Sequence, residues 1–359
     1  MKIKVLNSLL LALSFGFVLT SYGNKEEKSS SSKADASSEI VASSSSEIIN
    51  NYTRKNNKIY FGEYPQTKVE DETLIAKLNI KAGDLPTATN LNNWTDYNYY
   101  ISGEVTSYMY YQDIDYDNNG TYDYRGVYFT RYRPYVSSYS SSADFTYQDD
   151  NGYSTSTIYW FSYDPIEWNI LTESSGKALI LANLILDSQE YYPSTSTSSF
   201  SHNGGEGYAN NYELSTIRKF LNDNFYNTAF NDLQKALIEE TTVDNSASST
   251  GSSSNSYACN NTKDKLFLLS CSEVTSSTYG LNSSTARQAK GSDYAKCQGL
   301  AVSISSSYLG YSSWWLRSPY SPLYNKPYIA YDVLSDGSIS FNSVFNNYYG
   351  VRPACWIKL

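Results

Sequence analysis

Apolar positions in this chain come in short runs separated by long polar stretches. Ile59-Tyr60-Phe61, Tyr124 to Thr130, Ile158 to Tyr163, Ile166 to Leu171, Ala178 to Ala182 and Leu266 to Leu269 are β-branched or aromatic runs bounded by Gly, Asp, Asn or Ser. Each predicts a strand. Trp314 to Leu316, Tyr328 to Leu334 and Val351 to Ile357 follow in the C-terminal quarter, with Asp336-Gly337 as a type I′ hairpin signal. Helical periodicity is scarce. Leu214, Ile217, Leu221 and Phe225 share one face, with Asn211 as the expected N-cap. Asn231 or Asp232 caps a second helix carrying Leu233, Leu237 and Ile238, and Thr73 to Leu78 and Asp293 to Gln298 read as short helices. Strands around a few helices, without βαβ alternation, predict an α+β fold of mainly antiparallel sheets with long loops. The longest loops fall at about 135–156, 190–210, 244–262 and 318–327, and loops of that length in a compact domain are usually functional or mobile.

The N-terminus has its own pattern. Lys2 and Lys4 precede an apolar run from Leu9 to Leu19, and Ser21-Tyr22-Gly23 supplies small residues for cleavage, so 1–23 reads as a signal peptide. Leu19 to Gly23 also resembles a lipoprotein box with Tyr22 where the lipid-bearing Cys would stand, so a retained anchor is the alternative to plain secretion. Residues 24–56 are Ser-rich and too poor in apolar side chains to offset the entropy of ordering, and they read as a flexible tether. A single domain is expected over 57–359. The predicted location is secreted or extracytoplasmic, with membrane contact only through an N-terminal anchor.

Composition narrows the chemistry. There are 37 Tyr, 4 Cys and a single His, and the net charge is −9. That charge argues against nucleic acid, whose phosphates need clustered Lys and Arg. The lone His202 sits in Ser201-His202-Asn203-Gly204-Gly205, without a nucleophile elbow, so it reads as a loop residue and no catalytic group is assigned. The cysteines lack metal-ligand spacing. Cys259 and Cys271 could clip the loop between them, whereas Cys297 and Cys355 read as buried small apolar residues.

Asp115-x-Asp117-x-Asn119-Gly120 with Asp123 fits the first, third, fifth and ninth ligand positions of a calcium loop, with Gly at the sixth. The twelfth position is Gly126, so the bidentate Glu is missing. A plain hairpin turning at Asn119-Gly120, and the same hairpin stabilised by calcium, both remain open. No other cofactor is expected. Trp314 and Trp315 read as scaffold, with Arg317 and Arg352 pairing carboxylates or loop carbonyls. The Tyr/Ser/Asn loops carry the functional expectation. Tyr offers a rigid amphipathic face, and Ser and Asn offer adaptable hydrogen bonds. Tyr320, Tyr324, Asn325, Phe345, Asn346 and Tyr348 are the candidate ligand contacts, toward a protein or glycan outside the cell. AT-rich coding bias is the competing explanation for Tyr and Asn, though not for Ser. The function expected is adhesin-like binding without catalysis. An envelope hydrolase or transferase, or a structural envelope protein, are the alternatives.

Seven phrases fall in order and carry a resemblance. They are Phe61-Gly62-Glu63-Tyr64-Pro65-Gln66, Tyr124 to Phe129, Tyr159-Trp160-Phe161 with Pro165 to Trp168, Leu186 to Gln189, Ser215 to Arg218 with Leu221-Asn222, Trp314 to Pro319 and Gly350 to Ala354. Together they resemble an uncharacterised bacterial family of secreted and surface domains of unknown function, over about Lys58 to Leu359. The ending is also similar to the C-type-lectin-like fold in its formylglycine-generating-enzyme-like version. That likeness implies paired N- and C-terminal strands and ligand-binding loops on one side.

Overall fold

The longest strand, Ile158–Ser174, organises the fold, and its burial follows its side-chain alternation. Ile166, Trp168 and Ile170 recur with period two and all enter the main core. Upstream, the neighbours Trp160 and Phe161 point to opposite faces and join different cores. The computed structural model describes residues 51–359 except 88, 98, 102–103, 107, 134–143, 194–199, 203–204 and 321–325. The segments read as signal peptide and most of the tether lie outside the described residues. The sheet itself begins at Thr53–Lys55, which pairs with the start of Lys58–Lys68.

Ile158–Ser174 pairs along one side with Lys58–Lys68. Its first half pairs on the other side with Tyr124–Phe129, and its second half with Lys177–Ala182. Met109–Ile114 and Thr95–Asp96 extend one end, and the terminal strand Ala354–Lys358 pairs with Lys177–Ala182. A second sheet has the order Asp187–Ser188, Gly350–Val351, Trp314–Pro319, Ile329–Val333, Ile339–Ser343. Trp314 and Gly350 form its parallel pairing; the other pairings are antiparallel. The α+β, mainly antiparallel expectation therefore holds. The first strand, Thr53–Lys55, and the last, Ala354–Lys358, share a sheet but are separated by Lys58–Lys68, Ile158–Ser174 and Lys177–Ala182, so the direct pairing implied by the lectin-like resemblance is not made.

Several elements differ from the sequence reading. The two strands expected at 158–163 and 166–171 are one, because Asp164-Pro165 is carried through by bulges in the partner strand. Its register shifts between Tyr60 and Glu63 and again between Pro65 and Thr67. Gly62 occupies the first bulge at φ 73°, where a Cβ would lie 2.5 Å from the Phe230 ring. The strand expected over Val351 to Ile357 is instead split at Arg352-Pro353. Gly350–Val351 joins the second sheet and Ala354–Lys358 the first. Pro353 has no N–H for a ladder, and its carbonyl accepts from Ala182 N at 2.9 Å. Leu266 to Leu269 forms only a bridge, between Phe267 and Ala354. The Asp336-Gly337 hairpin is present, but only Gly337 has positive φ (81°), with Gly337 N bonded to Leu334 O. A type I′ turn needs two such residues.

The helical stripe lies where expected, with a different start. Ser215 caps Thr216–Phe220 through its side chain, and Asn211 instead precedes a short 3₁₀ turn, Tyr212–Leu214. The run continues through a π turn, Leu221–Phe225, into Tyr226–Ala229. Ile217, Leu221, Phe225 and Ala229 are buried, and Phe225 packs on Tyr64 at 4.6 Å. Asn231 caps Asp232–Lys235 in a capping box with Gln234. Glu72–Ala82, capped by Asp71, covers the other face of the first sheet through Leu78 and Ala82, above Trp94, Tyr128 and Trp160. All four cysteines are free thiols, so the Cys259–Cys271 clip is not formed, while Cys297 and Cys355 are fully buried.

Candidate functional site

The expected ligand residues divide into two neighbourhoods. Tyr320 follows Trp314–Pro319, and its N–H donates to Ile329 O at 2.9 Å. Its ring stacks on Phe341 at 3.8 Å and meets Tyr331 edge-on at 5.2 Å. Phe341 and Tyr331 are cross-strand partners on the edge of the second sheet. Phe341 is 40% exposed and Phe345 39%. Asn346 turns back, donating its amide to Asn342 Oδ1 at 3.2 Å. Tyr348 packs elsewhere, on Tyr147 and Tyr349. Tyr324 and Asn325 lie outside the described residues. His202 is in a small ribbon, Phe200–His202 paired with Gly205–Gly207.

The Trp and Arg residues of the C-terminal sheet are scaffold. Trp314 Nε1 donates to Arg287 O and Trp315 Nε1 to Gln189 O, with both rings fully buried. Arg317 is bound by both oxygens of Glu273 and by the carbonyls of Leu268 and Asp244. Arg352 has carbonyl partners, Ala182 O and Arg287 O, and lies over Trp314 at 4.9 Å. Burial lowers its pKa.

The acidic motif forms a loop across 115–123, since Ile114 pairs with Tyr124, and the two-residue turn at Asn119-Gly120 is not made. Asp115, Asp117 and Asp123 each offer a carboxylate oxygen, and these atoms lie within 4.8 Å of one another. Backbone N–H groups are folded onto them. Asp115 Oδ2 accepts from Gly120 N at 2.9 Å, and Asp123 Oδ2 from Tyr116 N at 2.6 Å. Asn119 stands in the same loop: its Oδ1 accepts from Thr121 N at 2.8 Å and its Nδ2 donates to Asp117 Oδ2 at 3.0 Å. Lys81 donates to the carbonyls of Asp115 and Tyr116 from the neighbouring helix.

A further site was missed by the sequence reading. A cleft of about 380 Å³ opens between Lys58–Lys68, Met109–Ile114, Thr95–Asp96 and the start of the helical run. Tyr64, Tyr97, Tyr111 and Phe220 supply its aromatic wall, and Arg125, Glu190 and Gln189 much of its polar one. Arg125 is 4% exposed and bound bidentately by Asp113, with both contacts at 2.7 Å. Burial alone would lower its pKa, but Asp113 outweighs this and the net shift is upward. Its guanidinium lies 4.3 Å from the Tyr111 ring and donates to Tyr294 Oη at 3.3 Å. Behind the wall, Tyr64 donates to Asp187 Oδ2 at 2.7 Å. Burial raises the pKa of Asp187 despite that bond and those from Ser188 N and Gln189. Tyr97 and Tyr294 share a short hydroxyl contact, and Gln298 donates to Tyr97 Oη at 2.9 Å. Arg133, fully buried, ties Glu190 (2.8 Å) to the Ser188 and Gln298 carbonyls. The signal available in the sequence was a charge inside a strand run, since an Arg set between Tyr124 and Gly126-Val127 must find a buried partner.

Neither the comparison with curated proteins nor that with solved structures found a match. Residues 175–359 match a family described as Domain of unknown function (DUF6273). The phrases from Leu186 to Ala354 lie within the match; those from Phe61 to Trp168, and most of the cleft's aromatic wall, precede it. By that match, over half of its length and including the whole C-terminal sheet, the chain belongs to the DUF6273 family of domains of unknown function.

Proposed function

We propose that this is a recognition domain acting outside the cell, which holds a protein or glycan on its aromatic edge and performs no chemistry. The observation that carries the reading is the Tyr320–Phe341 stack, with Tyr331 set edge-on against it and Phe345 exposed just after the strand Ile339–Ser343. Rings braced by one another and by a hydrogen-bonded strand edge have little freedom left to lose on binding, so contact area converts more fully into affinity. Flat aromatic faces suit both sugar rings and protein side chains. A signal peptide, a Ser-rich tether and calcium in the 115–123 loop belong to the same proposal: the first two would display the domain, and the third would stiffen one loop.

A glycan array and an extracellular-matrix panel, probed with wild type and Phe341→Ala, test it. Binding that falls at least tenfold in the variant, with an unchanged melting temperature, is the expected result. No binding on either surface, together with turnover of an envelope substrate, would refute the proposal.

A further inference from the structure

We propose that the tyrosine-walled cleft is a second binding site, separate from the aromatic edge, and that it takes a neutral, hydroxyl-rich ligand the size of one or two sugar rings. The charge pattern gives the first reason. The buried cations of the cleft and its backing already have anions: Arg125 has Asp113, and Arg133 has Glu190. The rim carries Lys219 and Asp96, one of each sign. A charged ligand would lose its hydration against a wall with no net charge to replace it, whereas hydroxyl groups lose far less.

The second reason is the composition of the walls. Tyr97 and Tyr111 lie 4.7 Å apart, and Arg125 covers Tyr111 at 4.3 Å, so these rings are held in place before any ligand arrives. Phe220 adds an apolar face from the helical run. Such faces match the C–H faces of a pyranose. Gln189, Asn224 and Glu190 offer planar donors and acceptors beside them. Glu190 lines the cleft and is held there by Arg133, which donates to its Oε2 at 2.8 Å. That mixture of aromatic plates and fixed planar polar groups distinguishes vicinal hydroxyls by direction. Size gives the third reason: about 380 Å³ lies near the lower end of the roughly 300–1,000 Å³ usual for small-ligand sites.

The test is calorimetric titration of the full chain with glucose, galactose, mannose and N-acetylglucosamine, with glucuronate and glucosamine as charged comparators. At least one neutral sugar should bind. Asn224→Trp, an exposed position whose new ring would fill the cleft, should weaken that binding at least tenfold without lowering the melting temperature. Thr95→Trp, exposed on the strand Thr95–Asp96 that also lines the cleft, repeats the block if the first variant is destabilised. Phe341→Ala should leave the affinity unchanged, which separates this site from the aromatic edge. The proposal is overturned if none of the four neutral sugars binds. It also fails if a charged comparator binds as tightly as its neutral parent, or if both blocking variants fold and bind as wild type does.

Discussion

Asp332 should make this domain less stable as pH rises through neutrality, and Asp332→Asn should remove that dependence. The residue is the fourth of five in Ile329–Val333 and fully buried. Its Oδ2 accepts from Asn342 Nδ2 at 3.2 Å, and its Oδ1 has no partner. Burial pushes its carboxyl from 3.8 up to about 7, although hydrogen bonds from Asn342 and Tyr349 pull the other way. Below about pH 4 the group is protonated in both folded and unfolded chains, and its contribution is fully present. Between about pH 4 and 7 the unfolded chain releases the proton while the native one keeps it. Stability therefore falls by about 1.36 kcal/mol per pH unit, reaching a loss of about 4 kcal/mol by pH 8. An amide does not titrate. Asp332→Asn should lie within about 1 kcal/mol of wild type at pH 4.5, the worth of a rearranged hydrogen bond. It should be more stable by roughly 3–4 kcal/mol at pH 8. Urea denaturation of both proteins from pH 4.5 to 8.5, compared pairwise, cancels every other titrating group. A difference that stays flat across the range, or that grows toward acid pH, would refute the reasoning.

Gly62→Ala combines a φ of 73° with a Cβ 2.5 Å from Phe230 and 2.7 Å from Ala229 O, so it should cost about 3 kcal/mol or more in urea denaturation. Glu273→Ala leaves Arg317, 2% exposed, with a buried charge and only carbonyl partners; a loss of about 3–5 kcal/mol is expected in the same assay. Millimolar calcium should raise the melting temperature of the wild type measurably, and Asp117→Ala should abolish the rise. No rise in the wild type would leave the 115–123 loop as a hydrogen-bonded turn.

Patterns with a local cause were legible in the sequence. Ile166, Trp168 and Ile170 alternate because one face of a strand is buried, and Ile217, Leu221 and Phe225 recur because one face of a helix is. Neither pattern depends on which partner does the covering, so both could be read from residue order alone. Asn231 before Asp232–Lys235 was readable for the same reason, since a cap acts within one turn. The aromatic edge was half legible. Tyr320 was named, but Phe341, its stacking partner, is set by the register of Ile329–Val333 against Ile339–Ser343.

What the tertiary structure decided is where the chain changes partner. Pro165 continues a strand because the bulged Lys58–Lys68 accommodates it, whereas Pro353 ends one because its two sides pair with different sheets. The same residue type has opposite outcomes, and only the neighbouring backbone settles which. The cleft is likewise a product of assembly. Tyr64, Tyr111, Arg125 and Glu190 are scattered in sequence and converge because four strands, the helical run and the segment after Asp187–Ser188 meet there. Residue order sets which faces are apolar. Which faces meet, and which charges are thereby buried together, depends on contacts between distant segments that no local period encodes.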